Sequence, residues 1–251
     1  MVSKRLWKAV VAALVLYWPA IFVLTHIPME RLVHESRLSD KSLHFVAYMI
    51  LTLLLWSAAK PGQKVRWGRA GPWLVFVVVM AYAACDEYLQ QFIAGRSTDA
   101  RDLIADAIGA LAALAVLSVL SFWSAALVVS GLTIFSVAAV VQANLAVRLP
   151  RMIMAFYFGA HAVFTLLWIG FLDQRFGPAR KVGRGLVLSI SAPLALTVLT
   201  KVGATVADRP FDRWHMVASV VGIVGAAAAV PLASRVAQKN RGPRSESEAA
   251  A

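Results

Sequence analysis

Apolar residues in this chain come in long blocks, not in the alternation of half-buried strands or the narrow stripes of soluble helices. A bilayer core takes about 20 apolar residues per helix. Blocks of that order fall at 7–27, 42–59, 72–92, 102–121, 125–145, 152–172, 185–206 and 214–234. Residues 107–147 hold no charge at all, so a tight turn near Ser121–Ser124 is needed to divide them into two spans. Pro28, Pro61, Pro150, Pro178 and Pro210 mark joints between blocks, Pro72 suits a first helical turn, and Pro19 and Pro193 predict kinks inside spans. Lys4, Arg5 and Lys8 before the first block resemble a secretory signal. That block runs to Ile27 with no small-residue cleavage site after it, so it reads as a retained span. The polar stretch 237–251 reads as a disordered tail.

The pattern therefore predicts an all-α, polytopic transmembrane bundle of about eight spans. Composition agrees: 60% of the 251 residues are hydrophobic and 15% charged, against about 25% charged in soluble domains. The net charge of +12 would suit nucleic acid, but its distribution points to lipid. With the N-terminus inside, the cytoplasmic segments hold 15 of the 25 basic residues and three of the 13 acids. The opposite side is balanced, as the positive-inside rule expects. Both termini are expected in the cytoplasm, membrane lipids are the expected partners, and no nucleic acid is needed. Cys85 is the single cysteine, which excludes an intramolecular disulfide. No phosphate-binding or dinucleotide glycine loop, zinc-type Cys/His pairing or nucleophile elbow is present, and no metal or cofactor is expected.

The halves resemble each other. Ala13-Leu14-Val15 and Ile21-Phe22 recur as Ala126-Leu127-Val128 and Ile134-Phe135, and Arg96, Asp99 and Gly109 recur as Arg209, Asp212 and Gly222, all 113 residues on. His44 is matched to His161 at a slightly different spacing. Two parallel four-helix repeats are expected, 1–121 and 122–236, the second a degenerate copy.

Ionisable residues inside lipid are costly and mark function by default, and here they concentrate in the first half. Asp40, Lys41 and His44 open the second span, with Tyr48 a turn further along the same face. Asp86, Glu87 and Gln90 lie near the end of the third. Arg96 follows in the loop, and Asp99, Asp102 and Asp106 step into the fourth at helical spacing. At about 1.5 Å per residue they share one layer, in the outer leaflet under this topology. Asp40-Lys41-x-x-His44-x-x-x-Tyr48, Asp86-Glu87-x-x-Gln90 and Gly95-Arg96-x5-Asp102-x3-Asp106-x-x-Gly109 resemble the VanZ-like membrane family over residues 10–120. Ala94 departs from the proline often found there.

The family's namesake is associated with resistance to a glycopeptide antibiotic, and related membrane families have been proposed to process phosphate-containing lipid head groups or polyprenol carriers. The resemblance implies a bacterial cell-membrane protein acting at its outer face on a phosphate-bearing lipid or cell-envelope precursor. The alternative is a non-catalytic lipid-binding, antibiotic-binding, transport or accessory protein. Under the first reading His44 is base or nucleophile, oriented by Glu87 or Asp102. Arg96 and Lys41 then hold phosphate, with Asp40, Gln90 and Asp106 completing the substrate site. Each residue also has a plain structural reading. Asp40 would cap the second span, Asp99 and Asp102 would be an N-cap and first-turn acid, and Lys41, Arg101 and Arg213 would be snorkelling anchors. His44 would be a packed histidine and Glu87 the partner of Arg96. His161 and His215, lacking acidic company, read as structural.

Overall fold

A computed structural model describes residues 3–26, 37–93, 99–138, 150–177, 182–208 and 211–239. Among the described residues the elements are eight helices: α1 (Lys4–His26), α2 (Arg37–Ala59), α3 (Ala70–Gln90), α4 (Ala100–Val119), α5 (Phe122–Ser136), α6 (Pro150–Phe176), α7 (Val182–Val206) and α8 (Arg213–Lys239). Seven of them are long and apolar enough to cross a membrane, and α5, at 15 residues, is shorter. The fold is a helical membrane bundle. The eight predicted spans correspond one to one with the helices. The remainder of the predicted fifth span, beyond residue 138, lies outside the described residues, as does the predicted tail beyond 239.

The divide between the fourth and fifth spans is tighter than expected. Leu120 leaves α4 in extended conformation, Ser121 is the N-cap position of α5, and Ser124 is already helical. Pro72 falls in the first turn of α3, where a missing N–H costs nothing. Helices α1, α7 and α8 continue through Pro19, Pro193 and Pro231.

Leu16, Leu74, Val78, Val187 and Val206 are exposed on the helix surfaces, while Tyr48, Met49, Val79, Ala113, Leu114 and Val129 are fully buried. Apolar side chains on both sides of a helix are what a lipid solvent permits and water does not.

Helix α2 packs most extensively on α4, and α6 on α8. In the first four helices α1 also meets α2 and α3, and α3 meets α2 and α4. In the last four α5 likewise meets α6 and α7, and α7 meets α6 and α8. Between these groups only α5 makes contact, with α2 and α4, among the described residues. Glycine sets both main crossings. A Cβ on Gly109 would collide with the backbone carbonyl of Phe45, and one on Gly222 with that of Phe158. Both contacts lie 113 residues apart, so in this register His44 corresponds to Tyr157. His161, matched to His44 from the sequence, corresponds instead to Tyr48.

Candidate functional site

The close crossing at Gly109 places the start of α2 beside the start of α4 with the two chains running parallel. Successive residues of α2 therefore meet successive residues of α4. Lys41 Nζ donates to Asp99 Oδ2 at 3.0 Å and to Asp102 Oδ1 at 2.8 Å. One turn deeper, His44 Nδ1 lies 3.0 Å from Asp106 Oδ1, both side chains buried. The spacings within each helix are those that put residues on one face, so a single crossing supplies both the Lys41 and the His44 contacts.

Asp99 is the N-cap of α4, its carboxylate accepting the Arg101 backbone N–H at 2.9 Å. That N–H, then the Lys41 ammonium, holds the Asp99 carboxyl below the usual carboxylate range. The structural reading of Asp99 as a cap is therefore satisfied, and the residue carries an ion pair besides.

Glu87 is fixed in a way the sequence did not suggest. Its Oε1 accepts the backbone N–H of Asp99 at 2.6 Å, so this carboxylate sits at the N-terminus of α4, where the helix dipole favours negative charge. It fits no cap on its own helix and serves one on the next. Its second oxygen, Oε2, is buried and has no hydrogen-bond partner among the described residues. Glu87 is close enough to His44, Asp102 and Asp106 for their charges to act on it.

Asp86, the neighbour of Glu87, is bonded to α1 and to its own helix. It accepts from Gln90 Nε2 at 2.9 Å on one oxygen and from Thr25 Oγ1 at 2.9 Å on the other, and His26 Nδ1 lies 3.5 Å away. Gln90 thus supports Asp86. Thr25 and His26 were missed in the sequence, although two polar residues closing an apolar block just before a proline were a usable signal. Tyr48 and Tyr82 pack 6.0 Å apart by ring centroids, each with a buried hydroxyl lacking a partner among the described residues.

Of the eight predicted site residues, Lys41, His44, Glu87, Gln90, Asp102 and Asp106 share one polar layer across α2, α3 and α4. Arg96 lies outside the described residues, and so does the side chain of Asp40. The expected orienting carboxylate for His44 was Glu87 or Asp102; the residue bonded to it is Asp106. A histidine with Nδ1 held by a buried carboxylate has its tautomer and ring orientation set, as acid–base or nucleophilic chemistry requires. Among the described residues, no three of His, Cys, Asp and Glu are grouped to hold a metal ion.

The second half has buried polar residues of another kind. His161 Nδ1 lies 2.9 Å from the Tyr157 carbonyl, and Thr165, Thr200 and Ser219 donate to carbonyls of their own helices. His215 pairs with Asp212, the N-terminal cap residue of α8, at 3.1 Å.

The family model described as VanZ/LLP1 matches residues 9–127 of the chain. The matched segment contains most of α1, the whole of α2, α3 and α4, and every residue of the polar layer. No curated protein and no solved structure matches the chain.

Proposed function

We propose that the VanZ/LLP1-matched unit of this multi-pass membrane protein acts at the outer face of a bacterial cell membrane on a phosphate-bearing lipid or cell-envelope precursor. The observation that carries the reading is the buried His44–Asp106 pair between two helices long enough to cross a membrane. A histidine and an aspartate paired inside a bundle are expensive to keep in lipid, and the pairing is the one that readies an imidazole for acid–base or nucleophilic chemistry. Glu87 Oε2 beside it offers an acceptor for a ligand proton or hydroxyl. Arg96 supplies, in this reading, the cation that such a carboxylate-rich layer needs before it admits a phosphate.

The test is lipid profiling of a deletion strain carrying the wild-type gene, His44→Ala or no gene. Accumulation of one phosphate-bearing lipid or precursor in the last two, and not the first, supports catalysis at His44. Identical profiles in all three strains would exclude it.

A second reading has its own support. Lys41 is engaged by Asp99 and Asp102, and Glu87 by the α4 N-terminus, so much of the layer is mutually satisfied, as in a non-catalytic lipid-binding or transport protein. In that case the His44→Ala strain keeps the wild-type lipid profile while losing ligand retention in the purified protein.

A further inference from the structure

We propose that His26, at the end of α1, is a second ligand-contacting histidine of this site, its Nε2 meeting the phosphate head group; the proposal rests on the head-group reading above. His26 Nδ1 lies 2.8 Å from the Phe22 carbonyl oxygen, 3.1 Å from Thr25 Oγ1 and 3.5 Å from Asp86 Oδ1. A carbonyl only accepts, so Nδ1 carries the proton, and in the neutral ring Nε2 is the bare acceptor. That Nε2 is buried and has no partner among the described residues. Stacking on Phe22, with centroids 3.9 Å apart, holds the ring in this orientation. A buried acceptor left alone is costly and calls for a donor that arrives from elsewhere.

His26 is not needed to hold Asp86 in place, since Thr25 and Gln90 each occupy one of its oxygens. The imidazole is therefore more than a prop. Asp86 and Asp106 are near enough for their charges to interact, so the imidazole beside Asp86 and the one beside Asp106 belong to one carboxylate layer. The neutral ring at His26 accepts from a P–OH or head-group hydroxyl, and the protonated ring donates to a phosphate oxygen.

Asparagine and glutamine separate the two ring nitrogens, because an Asn amide reaches roughly the Nδ1 position and a Gln amide roughly the Nε2 position. Binding of short-chain phosphatidic acid to the purified full-length protein in detergent is measured by calorimetry for wild type, His26→Asn, His26→Gln and His161→Asn. His161 is the control, its Nε2 equally without a partner but in the second half. The expected result is a loss of about tenfold or more for His26→Asn, the scale of one hydrogen bond to a charged group, with substantial recovery in His26→Gln and none lost in His161→Asn. Wild-type affinity in His26→Asn, or recovery in Asn and not in Gln, overturns the assignment and leaves the head-group reading standing. Wild-type protein that does not bind phosphatidic acid, and whose His44 imidazole ¹⁵N resonances do not move on its addition, removes the head-group reading and this proposal with it. A melting curve for each variant separates lost binding from lost fold.

Discussion

Gly109→Ala is the most direct test of how the site is assembled. The added methyl would come to 3.0 Å from the Phe45 carbonyl carbon and 3.2 Å from the Met49 nitrogen, and closer still to the Phe45 oxygen. Ordinary carbon contacts sit at about 3.5–4.0 Å, and backbone has no rotamer to escape into. Helices α2 and α4 must then part by roughly 1 Å, because the Phe45 oxygen is the tightest contact and carbon–oxygen contacts sit at about 3.3–3.6 Å. A shift of that size carries the His44–Asp106 contact, now 3.0 Å, to the edge of hydrogen-bonding range or beyond it. Overpacking of this kind costs about 1–3 kcal/mol, against a gain of at most about 1 kcal/mol from replacing glycine in a helix, so the variant is less stable. Gly225→Ala is the control, because its Cβ meets nothing within 4 Å. Thermal unfolding in detergent reports stability, and the His44 Nδ1 proton resonance reports the pair. Gly109→Ala should melt below wild type and lose the downfield signal of a carboxylate-bound imidazole. If it melts with Gly225→Ala and keeps that signal, the crossing does not set the site.

Other outcomes follow from the same geometry. Glu87→Gln keeps an oxygen for the Asp99 N–H, so it folds at wild-type yield and abolishes the lipid phenotype; a wild-type phenotype would remove Glu87 from the site. In a Cys85→Ser background, an impermeant maleimide added to whole cells should label Ser97→Cys and miss Gln63→Cys. The reverse pattern would place the site at the cytoplasmic face. For Asp99, the folded carboxyl titrates below its usual range, so its stabilising effect is present above the unfolded value of about 3.9 and fades as pH falls through the lower folded value. Hydrogen-exchange protection factors at the first turn of α4 should therefore hold down to about pH 4 and fall below it. Asp99→Ala should exchange fast throughout, and equal rates in both proteins at neutral pH would deny the cap.

The helices were legible because a bilayer leaves few choices: apolar length gives the helix. Their ends were less legible. Helix α8 runs to Lys239, past the 234 expected, because Ser, Arg and Gln end an apolar block without ending a helix. The polar layer was visible as a set, since acids and histidine at helical spacing in lipid demand explanation. Which acid meets His44 was not visible, because that depends on where α2 crosses α4. One clue was present: Asp102, Asp106, Gly109 and Ala113 form a single stripe of α4, and a glycine in it marks the face of closest approach. The bond that Glu87 accepts from the Asp99 N–H was not visible either, because this partner comes from the next helix, at the far side of a loop.

The second half shows what this crossing looks like without its charges. We infer that residues 122–236 are a copy of the first unit in which the packing has been kept and the site lost. Phe158 and Gly222 stand where Phe45 and Gly109 do, and Asp212 accepts the Trp214 N–H at 2.9 Å as Asp99 accepts that of Arg101. In the same register Tyr157 takes the place of His44, and Ser219 that of Asp106. Ser219 is satisfied by a carbonyl of its own helix, whereas Asp106 depends on its partner across the crossing. Burying even one charge of such a pair carries a desolvation cost, and replacing a buried pair by neutral residues is often neutral or stabilising, by about 1–4 kcal/mol where both members are charged. The double variant His44→Tyr, Asp106→Ser, which writes the second half's residues into the first, should therefore fold with unchanged or raised melting temperature and lose the lipid phenotype completely. The single variant Asp106→Ser, which leaves His44 buried without its carboxylate, should melt below both wild type and the double variant. A double variant less stable than Asp106→Ser would mean that the His44–Asp106 contact holds the bundle together, and that its place in the membrane owes nothing to chemistry.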